Sequence, residues 1–206
     1  GTPQTDDKLI YEDIKHPLRY KSVGISEDQR WLMMSVSEGT DGSELYYWDL
    51  QNKNQTDFKL LVEGFTNNHE FVDVVNGRFL INTNKDALNY RLVSIDPNNI
   101  DVKNWKPVIA EKNEKLDAIN RVGNKLFCSY LVNACTKVDI YSLDGKFEKT
   151  IKLPGLGTAS GFGGSQKDDH TFYTYTSFNT PQTIFKYDLK SSESTLFKKT
   201  NVKIDL

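Results

Sequence analysis

The sequence predicts an all-β fold: a partial β-propeller of four four-stranded antiparallel blades, preceded by the tail of another blade. Aromatic residues make up 12% of the 206 residues, and aromatic and β-branched side chains fit the pleated, half-buried surface of a strand. A strand-like pattern recurs at about 46 residues, the length of a propeller blade with four strands. No segment shows the 3.6-residue periodicity of a helix of any length.

The most apolar run of each repeat sets the spacing. Aligned on Trp31, Arg78, Lys125 and Thr171, these runs recur at intervals of 47, 47 and 46 residues. Each run is short and rich in aromatic or β-branched residues, which is typical of a buried strand. A second run follows each of the first, and it ends near an aspartate, a residue that starts turns by bonding its own downstream backbone. These aspartates are Asp49, Asp96, Asp144 and Asp188.

Two weaker strands complete each repeat. Leading strands are predicted near 20–26, 70–75, 116–122 and 158–163, and trailing strands near 58–62, 105–110, 147–153 and 195–199. The predicted blades therefore cover 20–64, 65–112, 113–156 and 157–201. Residues 1–19 are predicted to end a preceding blade, with a short strand at Lys8–Tyr11, and residues 202–206 to start a linker.

A blade of this size buries both faces against its neighbours. Trp31, Phe79, Phe127 and Phe172 are therefore predicted to lie in the core. Four blades make an arc, so two apolar blade faces stay uncovered, and we expect the isolated segment to self-associate through them. The segment is predicted to be part of a larger ring.

Composition excludes some classes of function. The net charge is −2, with 26 basic against 28 acidic side chains, which argues against a nucleic-acid surface. No apolar run is long enough to cross a bilayer, so no membrane partner is expected. The first residues have no initiator Met and no signal-peptide pattern, and the chain is interpreted as an excised segment. The compartment, cytoplasmic or periplasmic, does not follow from the sequence.

Other constellations are interpreted as structural. Cys128 and Cys135 are not expected to form a disulfide, since two cysteines give no framework. His16, His69 and His170 lie beside turn residues and are interpreted as solvated loop positions. The glycines between Gly155 and Gly164 are interpreted as close packing of a strand and not as a phosphate cradle. No cofactor or metal is expected.

Several short stretches, in order along the chain, carry a family likeness. They are Gly1-Thr2 with Gln4 and Asp7, Ser26–Trp31, Glu38–Asp41, Thr83–Lys85 with Asn89–Leu92, Ser177-Phe178 with Pro181, and Val202–Asp205. In these stretches and their spacing the sequence resembles the prolyl oligopeptidase family of serine peptidases. The resemblance implies an α/β-hydrolase domain, which carries the catalytic Ser, Asp and His, capped by a seven-bladed propeller. This chain would supply the end of the third blade and blades four to seven.

The resemblance also implies a function. The family cleaves peptides after proline, and its propeller admits only short, unstructured substrates. The implied partners are the hydrolase domain of the same parent chain and short proline-containing peptides. This chain has no Gly-x-Ser-x-Gly elbow, so the segment alone is not expected to hydrolyse peptide bonds.

The family's substrate-contacting propeller positions fall at Tyr20, Ser37 and Thr40, where well-known relatives carry Met, Arg and Cys. Tyr20 can supply an apolar wall for a substrate side chain. Ser37 replaces a cation, so pairing with an acidic substrate group is expected to be lost. Thr40 replaces a thiol, so inhibition by thiol reagents at this position is expected to vanish. The alternative is that these are ordinary polar loop residues.

Two other functions stay open. One is a non-enzymatic protein-interaction propeller, although the repeats lack the Gly-His and Trp-Asp signature of WD40 scaffolds. The other is the propeller of a related dipeptidyl or acylaminoacyl peptidase. The sequence beyond Leu206 discriminates between them, because a peptidase needs a nucleophile elbow followed by Asp and His.

Overall fold

The computed structural model describes residues 1–199, in which sixteen strands form four separate four-stranded antiparallel sheets. The first two sheets consist of β1 (Tyr20–Ile25), β2 (Trp31–Ser37), β3 (Glu44–Asp49), β4 (Lys59–Val62), and then β5 (His69–Val75), β6 (Arg78–Thr83), β7 (Arg91–Ile95), β8 (Lys106–Ile109). The other two consist of β9 (Lys115–Val122), β10 (Lys125–Val132), β11 (Cys135–Ser142), β12 (Phe147–Thr150), and then β13 (Thr158–Gly163), β14 (His170–Ser177), β15 (Thr180–Asp188), β16 (Glu193–Lys199). Within each sheet, strands adjacent in sequence are hydrogen-bonded neighbours. The predicted all-β architecture of four-stranded antiparallel sheets is confirmed. The exact blade boundaries stay predictions, and the predicted linker at 202–206 lies outside the described residues.

Aspartates at strand ends start the turns, as the sequence predicts. Asp49 accepts a hydrogen bond from the Gln51 backbone N–H at 3.1 Å, and Asp96 accepts one from Asn98 at 2.9 Å. Asp188 accepts from the backbone N–H of Lys190 at 3.0 Å. Each carboxylate accepts a hydrogen bond from the backbone N–H two residues further along the chain, which is the geometry of an Asx turn.

The chain divides into two compact units, Gly1–Glu70 and Phe71–Leu206. In the first unit the predicted strand at Lys8–Tyr11 is wrong: the only regular element among residues 1–19 is a 3-10 turn, Gln4–Asp6. An extended segment does not form a stable strand without a partner to supply backbone hydrogen bonds, and no described strand lies beside this one. Instead, Tyr11 packs edge-on against Phe58, with ring centroids 5.9 Å apart.

The second unit has two apolar clusters, one on each side of the third sheet. Leu126 belongs to the cluster shared with the second sheet, and Phe127 to the cluster shared with the fourth. Successive residues of a strand point to opposite faces. The third sheet is therefore buried on both faces, as a propeller blade requires.

The predicted core residues Trp31, Phe79 and Phe127 are buried, and for them the prediction is confirmed. For Phe172 it is wrong, because 38% of this residue stays exposed. Its neighbour Tyr173 is buried in the cluster shared with the third sheet. Phe172 therefore lies on the opposite face of the fourth sheet. There it packs at the surface against Phe197 and His170, with ring centroids 4.7 Å and 5.4 Å away.

A polar contact joins the second, third and fourth sheets within the second unit. The buried carboxylate of Asp73 in β5 accepts from Arg121 of β9, at 2.8 Å between Nη1 and Oδ2. Gln166, in the turn after β13, donates to the same carboxylate at 3.1 Å. Arg121 also donates to the Val74 carbonyl at 3.1 Å. Because one carboxylate collects donors from two other sheets, it fixes their positions around it.

A second ionic cluster lies inside the third sheet. Asp139 of β11 is fully buried and accepts from Lys112 at 3.0 Å, Lys137 at 3.2 Å and the Thr150 hydroxyl at 2.7 Å. Burial raises the pKa of Asp139, but these three donors outweigh it and hold the pKa below its usual value. The Lys112 ammonium also lies 4.6 Å from the centre of the Tyr130 ring, an additional cation–π contact.

Candidate functional site

The three predicted substrate-facing residues lie at one edge of the first sheet. Tyr20 is the first residue of β1, and its Cα pairs with that of Ser37, the last residue of β2. Thr40 follows in the exposed loop between β2 and β3. The structure thus brings Tyr20 and Ser37 directly opposite each other, with Thr40 three residues further along. About 71% of Tyr20 is exposed, so its ring is available as a wall.

The loop that carries Thr40 is held at its C-terminal end. The backbone N–H of Gly42 donates to the side chain of Asn68 at 2.7 Å, and that of Ser43 donates to the Asn67 carbonyl at 2.9 Å. Gly42 has φ of +82°, and a Cβ at this position would lie 1.7 Å from the Phe65 carbonyl oxygen. Only glycine fits both the conformation and the space. The exposed part of the loop therefore projects from a rigid base.

An ion pair that the sequence analysis missed flanks the two opposed residues. Arg19 precedes Tyr20 and Glu38 follows Ser37, so the antiparallel register places them side by side. The Nε atom of Arg19 donates to Glu38 Oε1 at 2.8 Å, and its guanidinium lies 4.8 Å from the centre of the Phe65 ring. The hydrogen bond that Arg19 donates to Glu38 raises the pKa of Arg19. The cation at this edge therefore comes from Arg19 and is already bound to a carboxylate, while Ser37 itself is neutral. The sequence could have indicated this ion pair, because pairing Tyr20 with Ser37 in an antiparallel register places Arg19 opposite Glu38.

A shallow cleft of 320 Å³ adjoins this ion pair, between the segment Lys15–Arg19 and Glu38. His16 lies at its rim, with Nδ1 at 3.1 Å from Oδ1 of Asp13. Burial raises the pKa of Asp13, but the hydrogen bonds from His16 outweigh it and lower the pKa overall. These contacts join two loop residues of the N-terminal segment.

The histidines differ in environment. His16 is exposed, as the loop interpretation predicts. His69 is not: only 5% of it is exposed, and the interpretation as a solvated loop residue is wrong. His69 starts β5, where its backbone N–H donates to the Ser43 hydroxyl at 3.0 Å. His170 starts β14 and contacts Asp169, with 2.7 Å between Nδ1 and Oδ1.

The two cysteines are free thiols in the third sheet. Cys128 is buried, and burial raises the pKa of its thiol, which makes it a poor nucleophile. Cys135 is partly exposed and stands opposite Val132 in the β10–β11 hairpin. Cys128 stands opposite Asp139, four pairs away, so the two sulfurs belong to different positions of the hairpin.

The part of the chain that the structure describes has no group of three or more His, Cys, Asp or Glu side chains placed to hold a metal ion. Within residues 1–199, no helix is long and apolar enough to cross a bilayer. The contact of Tyr20, Ser37 and Thr40 with a substrate stays a prediction.

The chain matches one family model and several known proteins. Residues 1–200 match the family described as prolyl oligopeptidase, N-terminal beta-propeller domain. The prolyl endopeptidase of Elizabethkingia meningoseptica is 40% identical over 205 residues, which cover 100% of this chain and 29% of that protein. The chain thus spans less than a third of the length of this relative.

Solved structures agree on the fold. A prolyl endopeptidase, from work on inter-domain dynamics in catalysis and specificity, superposes with a TM-score of 0.92 at 29% identity and covers 100% of this chain and 30% of that one. Prolyl oligopeptidase B from Galerina marginata, bound to a 35mer hydrolysis and macrocyclization substrate, superposes with a TM-score of 0.89 at 24% identity, again over 100% of this chain and 30% of the other. The four sheets are therefore blades of a partial propeller, as the sequence predicts.

Proposed function

The chain belongs to the prolyl oligopeptidase family, as part of its N-terminal β-propeller, and on this premise we propose that its parent protein is a proline-specific serine endopeptidase that cleaves short peptides. The observation that carries this proposal is the match of the full chain, at 40% identity, to a prolyl endopeptidase. The catalytic Ser, Asp and His belong to a hydrolase domain of the parent. This segment contributes access control and part of the substrate wall.

Access control needs a rigid obstacle. In the second unit, three sheets share two apolar clusters and the contact of Asp73 with Arg121 and Gln166. Opening between these blades would expose the clusters and leave a buried carboxylate without its donors, which is strongly unfavourable. The blades therefore act as a fixed steric filter, and a folded protein does not pass between them.

The substrate wall is proposed at Tyr20, Ser37 and Thr40. Tyr20 presents an exposed ring beside the neutral Ser37. An apolar or neutral substrate side chain is accepted there, because Ser37 carries no charge and the guanidinium of Arg19 beside it already binds Glu38. Thr40 offers no thiol for alkylation.

The test compares the parent protein with the isolated segment on a chromogenic peptide that contains proline. We expect the parent to release the chromophore and to cleave a short peptide that contains proline. A folded protein that contains the same proline sequence should stay intact. The segment of 206 residues is expected to be inactive because it has no nucleophile elbow. Activity in the isolated segment, or none in the parent, contradicts the proposal. The second outcome favours the interaction propeller, and release of dipeptides from free N-termini favours the dipeptidyl peptidase.

The wall is examined in the same assay with Ser37→Arg in the parent. A cation here should raise kcat/KM for a substrate with an acidic residue N-terminal to proline by about tenfold relative to a neutral one, since a charge-assisted hydrogen bond is worth about 1.5–3 kcal/mol. Ser191→Arg, in the exposed turn between β15 and β16, is the matched control and leaves the ratio unchanged. An unchanged ratio in Ser37→Arg removes this residue from the wall.

We also propose that the isolated segment self-associates. Phe172 and Phe197 form an exposed aromatic pair on the fourth sheet, and Val23 and Ile25 are each about half exposed on the first. Exposed apolar faces of this kind are sites of association. Light scattering at increasing concentration is expected to show dimers or larger species, and Phe197→Lys to reduce them. A monodisperse monomer at high concentration contradicts this.

A further inference from the structure

A small polar cavity lies between the third and fourth sheets and has no role in the function proposed above. Its volume is 140 Å³, which suits one small charged or polar group and is well below the size of a drug-sized ligand site. The edge strands β9 and β13 lie side by side along it, and residues of β10 and β11 complete the lining. Ala159 belongs both to this lining and to the apolar cluster of the two sheets, so the cavity borders a packed core.

Hydrogen bonds between the two sheets fix the walls of the cavity. The Asn120 side chain of β9 donates from Nδ2 to the Gly161 carbonyl of β13 at 3.1 Å. The backbone N–H of Ala159 donates to the Thr136 hydroxyl at 3.1 Å, and that of Thr136 donates to the Gly157 carbonyl at 2.9 Å. Because these bonds set the separation of the sheets, the cavity is formed before any ligand binds.

Both edge strands carry a β-bulge where they border the cavity. The register of β9 with β10 skips Asp117, and that of β13 with β14 skips Phe162. Phe162 has a φ of +58°, which is rare for a bulky side chain, and it stacks on Tyr173 in the core, with ring centroids 4.6 Å apart. Bulges re-aim side chains and are common beside binding sites, as is backbone strain of this kind. The bulges place Asp117 and Gly161 in the cavity lining.

The hydroxyl of Ser129 is the strongest sign of a ligand. Ser129 lines the cavity on the face of β10 that Phe127 shares, towards the fourth sheet. Only 9% of the residue is exposed, and within residues 1–199 its hydroxyl has no hydrogen-bond partner. A buried hydroxyl without a partner is unfavourable. The cavity therefore suits a ligand that forms a hydrogen bond with this group.

Two further lining residues are hydrogen-bond acceptors. Asn120 donates from Nδ2 to the opposite wall, which leaves its Oδ1 as an acceptor. Asp117 lines the cavity at its mouth, where 62% of its side chain is exposed, and its Oδ1 contacts Lys115 at 3.3 Å. This contact joins two exposed groups and is therefore weak. Among the described residues that line the cavity there is one carboxylate and no Lys, Arg or His.

A primary ammonium group matches this lining. It has three N–H donors and no acceptor, and the lining offers the oxygen atoms of Asp117, Ser129 and Asn120. A carboxylate ligand would instead face the charge of Asp117 with no lining cation to offset it. We propose that the cavity binds a primary ammonium group, with Asp117 supplying the opposite charge and with Ser129 and Asn120 accepting hydrogen bonds.

A short peptide carries this group in two places, the α-ammonium of its N-terminus and the ε-ammonium of a lysine side chain. If the parent cleaves short peptides, the cavity is a second subsite of the substrate wall, and it favours peptides with an ammonium group. The inference rests on the proposed function for this role, while the binding of the ammonium group itself is independent of hydrolysis.

The test measures binding to the full-length parent by isothermal titration calorimetry, with three peptides that lack proline. Gly-Gly-Gly amide carries an α-ammonium, N-acetyl-Lys-Gly-Gly amide carries an ε-ammonium, and N-acetyl-Gly-Gly-Gly amide carries neither. We expect a Kd about tenfold lower for at least one of the two ammonium peptides than for the neutral one, since a charge-assisted hydrogen bond adds about this much. The peptide with the lower Kd identifies the source of the ammonium group. No binding, or the same Kd for all three, overturns the proposal.

Variants of the parent locate the site. Asp117→Asn should abolish the tenfold preference for the ammonium peptide, and Ser129→Ala should reduce it about threefold through the loss of one hydrogen bond. Asp101→Asn is the matched control, because Asp101 is also exposed and contacts a lysine two residues away, Lys103, at 3.6 Å. The control should keep the full preference. A preference that survives in Asp117→Asn, or that is lost in Asp101→Asn, overturns the proposal.

The two proposals fail separately because calorimetry does not read hydrolysis. A parent that cleaves proline peptides but binds all three peptides equally loses only this inference. A parent that prefers the ammonium peptides but does not cleave loses only the proposed function.

Discussion

Replacing Phe127 with alanine is expected to lower the free energy of unfolding of the second unit by about 4 kcal/mol. Phe127 is fully buried, with Phe162 at 5.9 Å and Tyr187 at 5.7 Å between ring centroids. Removal of the ring loses its transfer free energy and leaves a cavity between two sheets that are held by other contacts and cannot collapse. Urea unfolding, followed by circular dichroism and tyrosine fluorescence, measures the change.

Phe172→Ala is the matched control, because it removes the same side chain from the neighbouring sheet. Phe172 is 38% exposed and contacts Phe197 at the surface, so its replacement should change the free energy by about 1 kcal/mol or less. Equal losses in the two variants would mean that the third and fourth sheets are not packed through Phe127.

Asp139→Asn is expected to destabilise the second unit by about 3 kcal/mol at neutral pH. The substitution keeps the shape but removes the charge that holds Lys112 and Lys137. Both lysines reach solvent in part, which keeps the expected loss at the lower end for a broken buried ion pair. Asp169→Asn, an exposed carboxylate beside His170, is the control and should change little.

The effect of Asp139→Asn should depend on pH in a defined direction. The folded-state pKa of Asp139 lies below its usual 3.8, so its contribution is present above the unfolded pKa and is lost as pH falls through the folded one. Urea unfolding between about pH 7 and about pH 2 should show the difference between wild type and variant shrinking below about pH 4. A difference that is constant over this range contradicts a contribution from the charge of Asp139.

The strands were predictable because each repeat contains two independent signals, an apolar run and an aspartate at a strand end. The runs at Trp31 and Lys125 are apolar enough to identify a buried strand, and the aspartates at Asp49 and Asp188 mark where strands end. Both signals are local: one depends on side-chain pattern and the other on a carboxylate two residues from its donor. The repeat of about 46 residues then indicates blades.

The errors arose where neighbours decide the outcome. Lys8–Tyr11 has a strand-like pattern, but a strand forms only with a partner. Phe172 looks like Phe79 in sequence, yet its exposure depends on what lies against its face of the sheet. His69 follows turn residues in the sequence, but it is the first residue of β5, and its backbone N–H donates to the Ser43 hydroxyl. Each of these outcomes depends on residues elsewhere in the fold and not on the local sequence.

The candidate site divides in the same way. The positions Tyr20, Ser37 and Thr40 came from a family resemblance, and their role stays a proposal. Their mutual placement, with Tyr20 opposite Ser37, follows from the register of β1 and β2. The ion pair of Arg19 with Glu38 follows from the same register and changes the chemistry expected there, because it supplies a cation that is already neutralised.

By itself, the sequence determined the class of fold, the number of sheets, the strands and the turns, because hydrophobic period and turn chemistry act over a few residues. The tertiary structure decided which apolar faces are covered and where the ionic contacts of Asp73 and Asp139 lie. Those features depend on residues up to 93 positions apart, as for Gln166 and Asp73. Contacts over such distances arise only when blades stack, since each blade is too thin to bury its own faces.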